Sequence, residues 1–106
     1  MNNQMFLEEE QRSHERFCLI ADKIEVEPSL LRIPLANVDR WLGRDHAAKK
    51  RLLEWRELIV AAMASQPGLI RLLDLLRADD EETRFFKGFA PFPGVLTASE
   101  AERFLS

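Results

Sequence analysis

The sequence predicts an all-helical protein, a single compact bundle of five to six helices. Apolar residues recur at spacings of three and four along most of the chain, and no alternating run is long enough to indicate a sheet. Five prolines and four glycines divide these periodic stretches into segments of helix length. With 106 residues, 46% of them hydrophobic, the chain is long enough for one core and too apolar for a disordered tail.

The first helix is predicted from about Asn3 to Val26. At 100° per residue, its apolar side chains share one face: Phe6, Phe17, Ile20, Ala21 and Ile24. Glu10 and Ser13 interrupt that face in the first half. Residues 1–12 are therefore expected to project beyond the core or to fray.

Prolines then set the boundaries of the next segments. Pro28 and Pro34 predict one short turn, a break, and a helix over residues 35–42 that ends at Gly43. Asp45 is expected to cap the next helix, which Pro67 and the following glycine end. That helix repeats apolar residues at three and four: Ala48, Leu52, Trp55, Ile59, Ala62 and Met63.

A leucine-rich segment follows, over residues 69–77. Its apolar side chains cover an arc of about 220°, which predicts contacts on more than one side. The segment is either the central helix of the bundle or part of a subunit interface. Its outer edge, formed by Leu72, Leu75 and Leu76, is expected to bind a protein partner or a second copy in a homodimer.

The C-terminal third is predicted to hold two short helices joined by a hydrophobic loop. Residues 81–87 form the first, capped by Asp79 or Asp80, and a capping box at 97–100 opens the last. The loop at 89–96 contains two prolines and is either a lid over the bundle end or an exposed patch. In the exposed case Phe89 and Phe92 would contact a partner.

Residues 31–42 resemble the turn and recognition helix of helix-turn-helix repressors and resolvases, whose usual form is Leu-Gly-Val/Ile-Ser-x-x-Thr-Val-x-Arg-Trp. The resemblance implies packing positions at Leu31, Ile33, Val38 and Trp41, with Pro34 in place of the serine cap. It also implies a set of residues on or near the groove face: Leu35, Ala36, Asn37, Asp39 and Arg40.

The charge distribution makes the middle of the chain the basic part. Residues 30–56 hold seven bases and three acids, although the whole chain carries a net charge of −3. A DNA-binding protein built on residues 28–56 is therefore the alternative function. Its phosphate contacts would come from five residues: Arg40, Arg44, Lys49, Lys50 and Arg51.

The sequence offers little chemistry for a catalytic or metal site. His14 and Cys18 lie one helical turn apart and could hold half a metal site, but His46 is the only other histidine. We find neither a nucleophile with its base nor a glycine-rich phosphate loop, so no enzyme, cofactor or metal is predicted. A lone cysteine and the lack of an export signal or a membrane-spanning stretch indicate the cytoplasm.

The sequence thus predicts a small, cytoplasmic, non-enzymatic interaction or regulatory module. Its expected partner is a protein or a second copy of the chain, and DNA is the alternative.

Overall fold

The computed structural model describes residues 3–44 and 48–104, with side chains from Glu8 onward. Within these ranges it contains helices and no strand, which confirms the predicted fold class. The elements are α1 (Asn3–Val26), a 3-10 turn (Pro28–Leu31), α2 (Arg32–Leu42), α3 (Lys49–Ala64), α4 (Gln66–Arg77), α5 (Glu81–Lys87) and α6 (Ala98–Glu102).

One hydrophobic core joins these helices. Helix α4 packs against both α3 and α1, and α2 also packs against α3. Among the residues of α1 whose side chains are described, from Glu8 onward, Phe17 is the first buried one, and Ile20, Ala21 and Ile24 also lie in the core as predicted. The side chain of Phe6 and the cap at Asp45 lie outside the described residues.

Trp55 of α3 is the largest fully buried side chain. Its ring stacks on Phe86 with the centroids 4.5 Å apart, and Phe92 meets it edge-on at 5.4 Å. Both geometries are favourable for aromatic pairs. The predicted inward face of α3 is confirmed at Leu52, Trp55, Ile59 and Ala62, whereas Met63 is exposed.

Two predicted helix boundaries were wrong, and a proline is involved in each. Helix α2 begins at Arg32 rather than Leu35, and Pro34 lies in its first turn. Helix α4 begins at Gln66, with Pro67 again in the first turn. The first amides of a helix have no intrahelical acceptor, so a proline there costs no hydrogen bond and does not break the helix.

The leucine-rich arc of α4 is core. Leu72 and Leu76 are fully buried, Leu75 is half-buried, and Ile70 is exposed over 49% of its surface. Helix α4 packs against both α1 and α3, which accounts for the width of the arc. Of the two possibilities that the sequence left open, the structure has the central helix.

The loop at 89–96 folds over the bundle as a lid. Pro91, Phe92 and Val95 are buried. The side-chain amide of Asn37 donates to the Pro91 and Pro93 carbonyls, at 3.1 and 2.9 Å. Because prolines leave few amides to satisfy, such a loop can be buried at low cost.

Candidate functional site

Helix α5 exposes one aromatic side chain while the neighbouring one is half-buried against the core. Phe86 turns inward onto Trp55, and Phe85 is exposed over 70% of its surface. Phe89, just past the end of the helix, is exposed over 49%. Adjacent residues on a helix point about 100° apart, so Phe85 and Phe86 cannot both enter one core. A capping box between Asp80 and Thr83 fixes the start of this short helix.

Arg51 of α3 lies against both exposed rings. Its guanidinium carbon is 4.5 Å from the centroid of Phe85 and 5.3 Å from that of Phe89. At exposed sites each such cation–π contact contributes about 0.5–1 kcal/mol. We call Arg51, Phe85 and Phe89 the aromatic patch.

A shallow cavity of about 420 Å³ adjoins the aromatic patch. Lys50, Glu54 and Phe86 contribute to its walls. Among the described residues, no carboxylate forms an ion pair with Arg51. The patch therefore combines apolar area, a cation available to an anion, and a concave edge.

The structure separates the five residues that the sequence predicted for partner binding. Leu72, Leu76 and Phe92 are buried in the core, and Leu75 is half-buried. In this structure those three buried positions are not available to a partner, because each fills the space between elements of the chain. Only Phe89 lies on an exposed surface.

The residues of the expected DNA groove face have mixed surroundings. Asn37 is buried and holds the lid, and Arg40 donates to its side-chain oxygen at 2.6 Å. Asp39 pairs with Arg56 at 2.9 Å. The turn at 28–31 continues directly into α2, so residues 28–42 do not form two separate helices.

The basic residues proposed for phosphate contacts lie near the end of α2 and the start of α3. Arg40, Arg44, Lys49 and Lys50 are exposed, whereas Arg51 is half-buried in the aromatic patch.

His14 and Cys18 do meet, with the sulfur 3.6 Å from Nε2. His14 Nδ1 is 4.0 Å from the carboxylate of Asp79. Burial raises the pKa of the Cys18 thiol, which disfavours the thiolate that a metal requires. In the part of the chain that is described, no group of three or more potential ligands could hold a metal, and His46 lies outside it.

Lys87, at the end of α5, is a buried cation that the sequence did not reveal. It is only 6% exposed, and its Nζ donates to the Leu76 and Ala78 carbonyls at 3.2 and 2.7 Å. Burial lowers its pKa. An exposed lysine is usual in the last turn of a helix, so the position of Lys87 does not indicate burial. Phe85, which was also not predicted from the sequence, could have been found from its adjacency to Phe86, because neighbouring side chains on a helix cannot both enter one core.

No helix in residues 3–44 and 48–104 combines the length and apolar content needed to cross a bilayer. Comparisons with protein-family models, curated proteins and solved structures found no match for this chain.

Proposed function

We propose that this chain is a small, cytoplasmic, non-enzymatic interaction module that binds a protein partner through the aromatic patch. The exposure of Phe85 carries this proposal. Burying a phenylalanine side chain stabilises a protein by about 1.5–3 kcal/mol. Phe85 is exposed over 70% of its surface, so the isolated chain lacks most of that stabilisation. A partner that covers the ring would recover it.

The patch has the composition of an interface centre. Aromatic residues and arginine are enriched where interface residues contribute most to binding. Contact with both rings already restricts Arg51, so binding would cost less side-chain entropy than it would at a mobile arginine.

The surroundings favour a partner that presents a carboxylate beside a large apolar side chain. The carboxylate would bind Arg51 and the neighbouring Lys50, and the apolar group would cover Phe85. Glu54 adjoins the patch, and Glu81 and Glu82 lie three to four residues before Phe85 on the same helix. These acids would repel a nucleic-acid backbone, which carries one charge after another.

The test compares capture of a partner by the wild-type chain and by a Phe85→Ser/Phe89→Ser variant. We expect the variant to stay folded and to bind at least about tenfold more weakly, because both apolar anchors are removed. Val26→Ser is the matched control, since Val26 is 87% exposed on α1 and not part of the patch. Equal capture by the variant and the control would refute the proposal.

Sedimentation of the same proteins tests whether the partner is a second copy of this chain. A wild-type dimer that becomes a monomer in the Phe85→Ser/Phe89→Ser variant would make the partner this chain itself. A wild-type monomer would leave a different protein as the partner.

DNA binding through residues 28–56 is the second candidate. The observation that favours it is the exposure of four bases near the junction of α2 and α3: Arg40, Arg44, Lys49 and Lys50. Lys49→Glu/Lys50→Glu should then abolish a salt-sensitive retardation of duplex DNA, whereas Phe85→Ser/Phe89→Ser should leave it intact. No retardation at low salt by the wild-type chain would exclude this candidate.

A further inference from the structure

A second cleft, distinct from the aromatic patch, lies between α1 and the chain that follows α5. Its volume is about 320 Å³, at the lower end of the range for small-molecule sites. Its walls are mainly apolar and come from α1, the lid and α6: Phe17, Ile20, Ala90, Phe92, Leu96 and Ala101. We call it the lid cleft.

Two cations line the lid cleft beside Phe17. Arg16 and Lys87 both line it, and both lie against the ring of Phe17, at 5.4 and 5.1 Å from its centroid. None of the described residues that line this cleft is an acid. The positive charge is therefore not balanced within the cleft itself.

Both hydrogen-bond acceptors of Lys87 among the described residues are neutral carbonyls. Its two acceptors, the Leu76 and Ala78 carbonyls, lie at the C-terminal end of α4, where the helix dipole favours a cation. An ammonium has three donors, so one remains for another acceptor. Among the described residues no carboxylate forms an ion pair with Lys87, and the nearby Asp79 pairs with Arg84 at 2.9 Å.

We propose that the lid cleft binds a small organic acid with an apolar body, such as a medium-chain carboxylate. Its carboxylate would accept hydrogen bonds from Lys87 and Arg16, and its apolar body would lie along Phe92 and Leu96. A buried ammonium gains most from an anion that water does not screen, and charge-assisted hydrogen bonds are the stronger kind.

A neighbouring cavity fixes the direction of the ligand. It has a volume of about 300 Å³ and shares Arg16 and Lys87 with the lid cleft, but Glu9, Glu10 and Asp79 also line it. Arg84 also lines this cavity and already pairs with Glu10 and Asp79, at 3.8 and 2.9 Å, and the acids there would repel an anionic ligand that entered it. The carboxylate of the ligand therefore stays on the lid-cleft side of Arg16 and Lys87, where no described acid lines the walls, and its tail extends under the lid.

Calorimetric titration with octanoate tests the proposal, with octanamide as the uncharged ligand of the same length. We expect octanoate to bind the wild-type chain at least about tenfold more tightly than octanamide. Lys87→Met keeps an unbranched side chain one atom shorter and removes the charge, and it should weaken the binding of octanoate at least about tenfold. Arg71→Met is the matched control, because Arg71 is exposed on α4 outside both this cleft and the aromatic patch, and it should bind octanoate as the wild type does.

A second variant keeps the proposal testable if Lys87→Met does not fold. Ala101→Phe places a ring in the apolar end of the cleft and leaves Lys87 in place, so it should abolish octanoate binding. Failure of wild type to bind octanoate at millimolar concentration would overturn the proposal, as would unchanged binding to a folded Lys87→Met or Ala101→Phe variant. Phe85→Ser/Phe89→Ser should bind octanoate normally, which separates this site from the proposed function.

Discussion

At Gly68 the packing of α4 against α3 leaves no room for a side chain. Gly68 lies in the first turn of α4, where its amide donates to the Ser65 hydroxyl at 3.1 Å. A Cβ added there would stand 2.1 Å from the carbonyl oxygen of Ala61 in α3. Because the obstacle is backbone, no rotamer change can remove the contact.

Helix propensity and packing predict opposite effects for Gly68→Ala. Alanine is favoured over glycine in a helix by about 0.8–1.0 kcal/mol, so propensity alone predicts a more stable protein. The clash requires α3 and α4 to separate by about 1 Å, since real Cβ contacts are not shorter than 3.0 Å. A gap of that size forfeits a quarter to a half of the dispersion energy of each contact across the crossing. We therefore expect a net loss of about 2–3 kcal/mol, in the range of overpacked cores.

Urea unfolding followed by circular dichroism measures this free energy of unfolding. Gly43→Ala is the matched control, because its added Cβ would lie at an ordinary 3.4 Å from the Arg40 carbonyl oxygen. The control should equal or slightly exceed wild type in stability. If Gly68→Ala is as stable as wild type, then α3 and α4 do not cross as closely as described and the reasoning is refuted.

Three further predictions test the core and the lid. Trp55→Ala should lower the free energy of unfolding by about 3–5 kcal/mol, whereas Trp55→Phe should lower it less, because the indole N–H has no partner among the described residues. Equal losses for the two variants in urea unfolding would contradict this. Leu72→Glu should abolish the folded dichroism spectrum, whereas Ile70→Glu, at a half-exposed position of the same helix, should retain it; a folded Leu72→Glu would place that side chain at the surface. The ion pair with Lys23, at 2.8 Å, lowers the pKa of Glu100 from its ordinary 4.5 to about 2, so the stabilising effect of this pair is present above pH 4.5 and is lost as the pH falls toward 2. Glu100→Gln should therefore lose less stability than wild type over that interval, and parallel profiles of stability against pH would refute this prediction.

The sequence predicted the helices because their signals are local. Apolar spacing in α1 and α3 directly reflects the faces that are buried, and the capping box at Thr97 opens α6 as expected. The predicted starts of α2 and α4 were wrong because a proline breaks a helix when it lies in the interior but is well accommodated in the first turn. The position of a proline alone does not show whether it ends one helix or lies in the first turn of the next.

The surfaces were harder to predict, because they depend on contacts between distant parts of the chain. The arc of α4 was compatible with either a partner or a core, and the packing of α1 and α3 decided between them. Arg51 and Phe85 are 34 positions apart, so no periodicity relates them. Asn37 resembled a base-contacting residue, but its amide is used to hold the lid through two carbonyls.

Three consecutive residues of α5 connect the aromatic patch, the core and the lid cleft. Successive side chains turn by about 100°, so Phe85, Phe86 and Lys87 point toward the aromatic patch, the core and the lid cleft. Stacking of Phe86 on the fully buried Trp55 fixes the rotation of α5 about its axis. The exposure of Phe85 and the burial of Lys87 therefore follow from one core contact, since any rotation that hid Phe85 would also withdraw Phe86 from Trp55 and move Lys87 away from the carbonyls of Leu76 and Ala78.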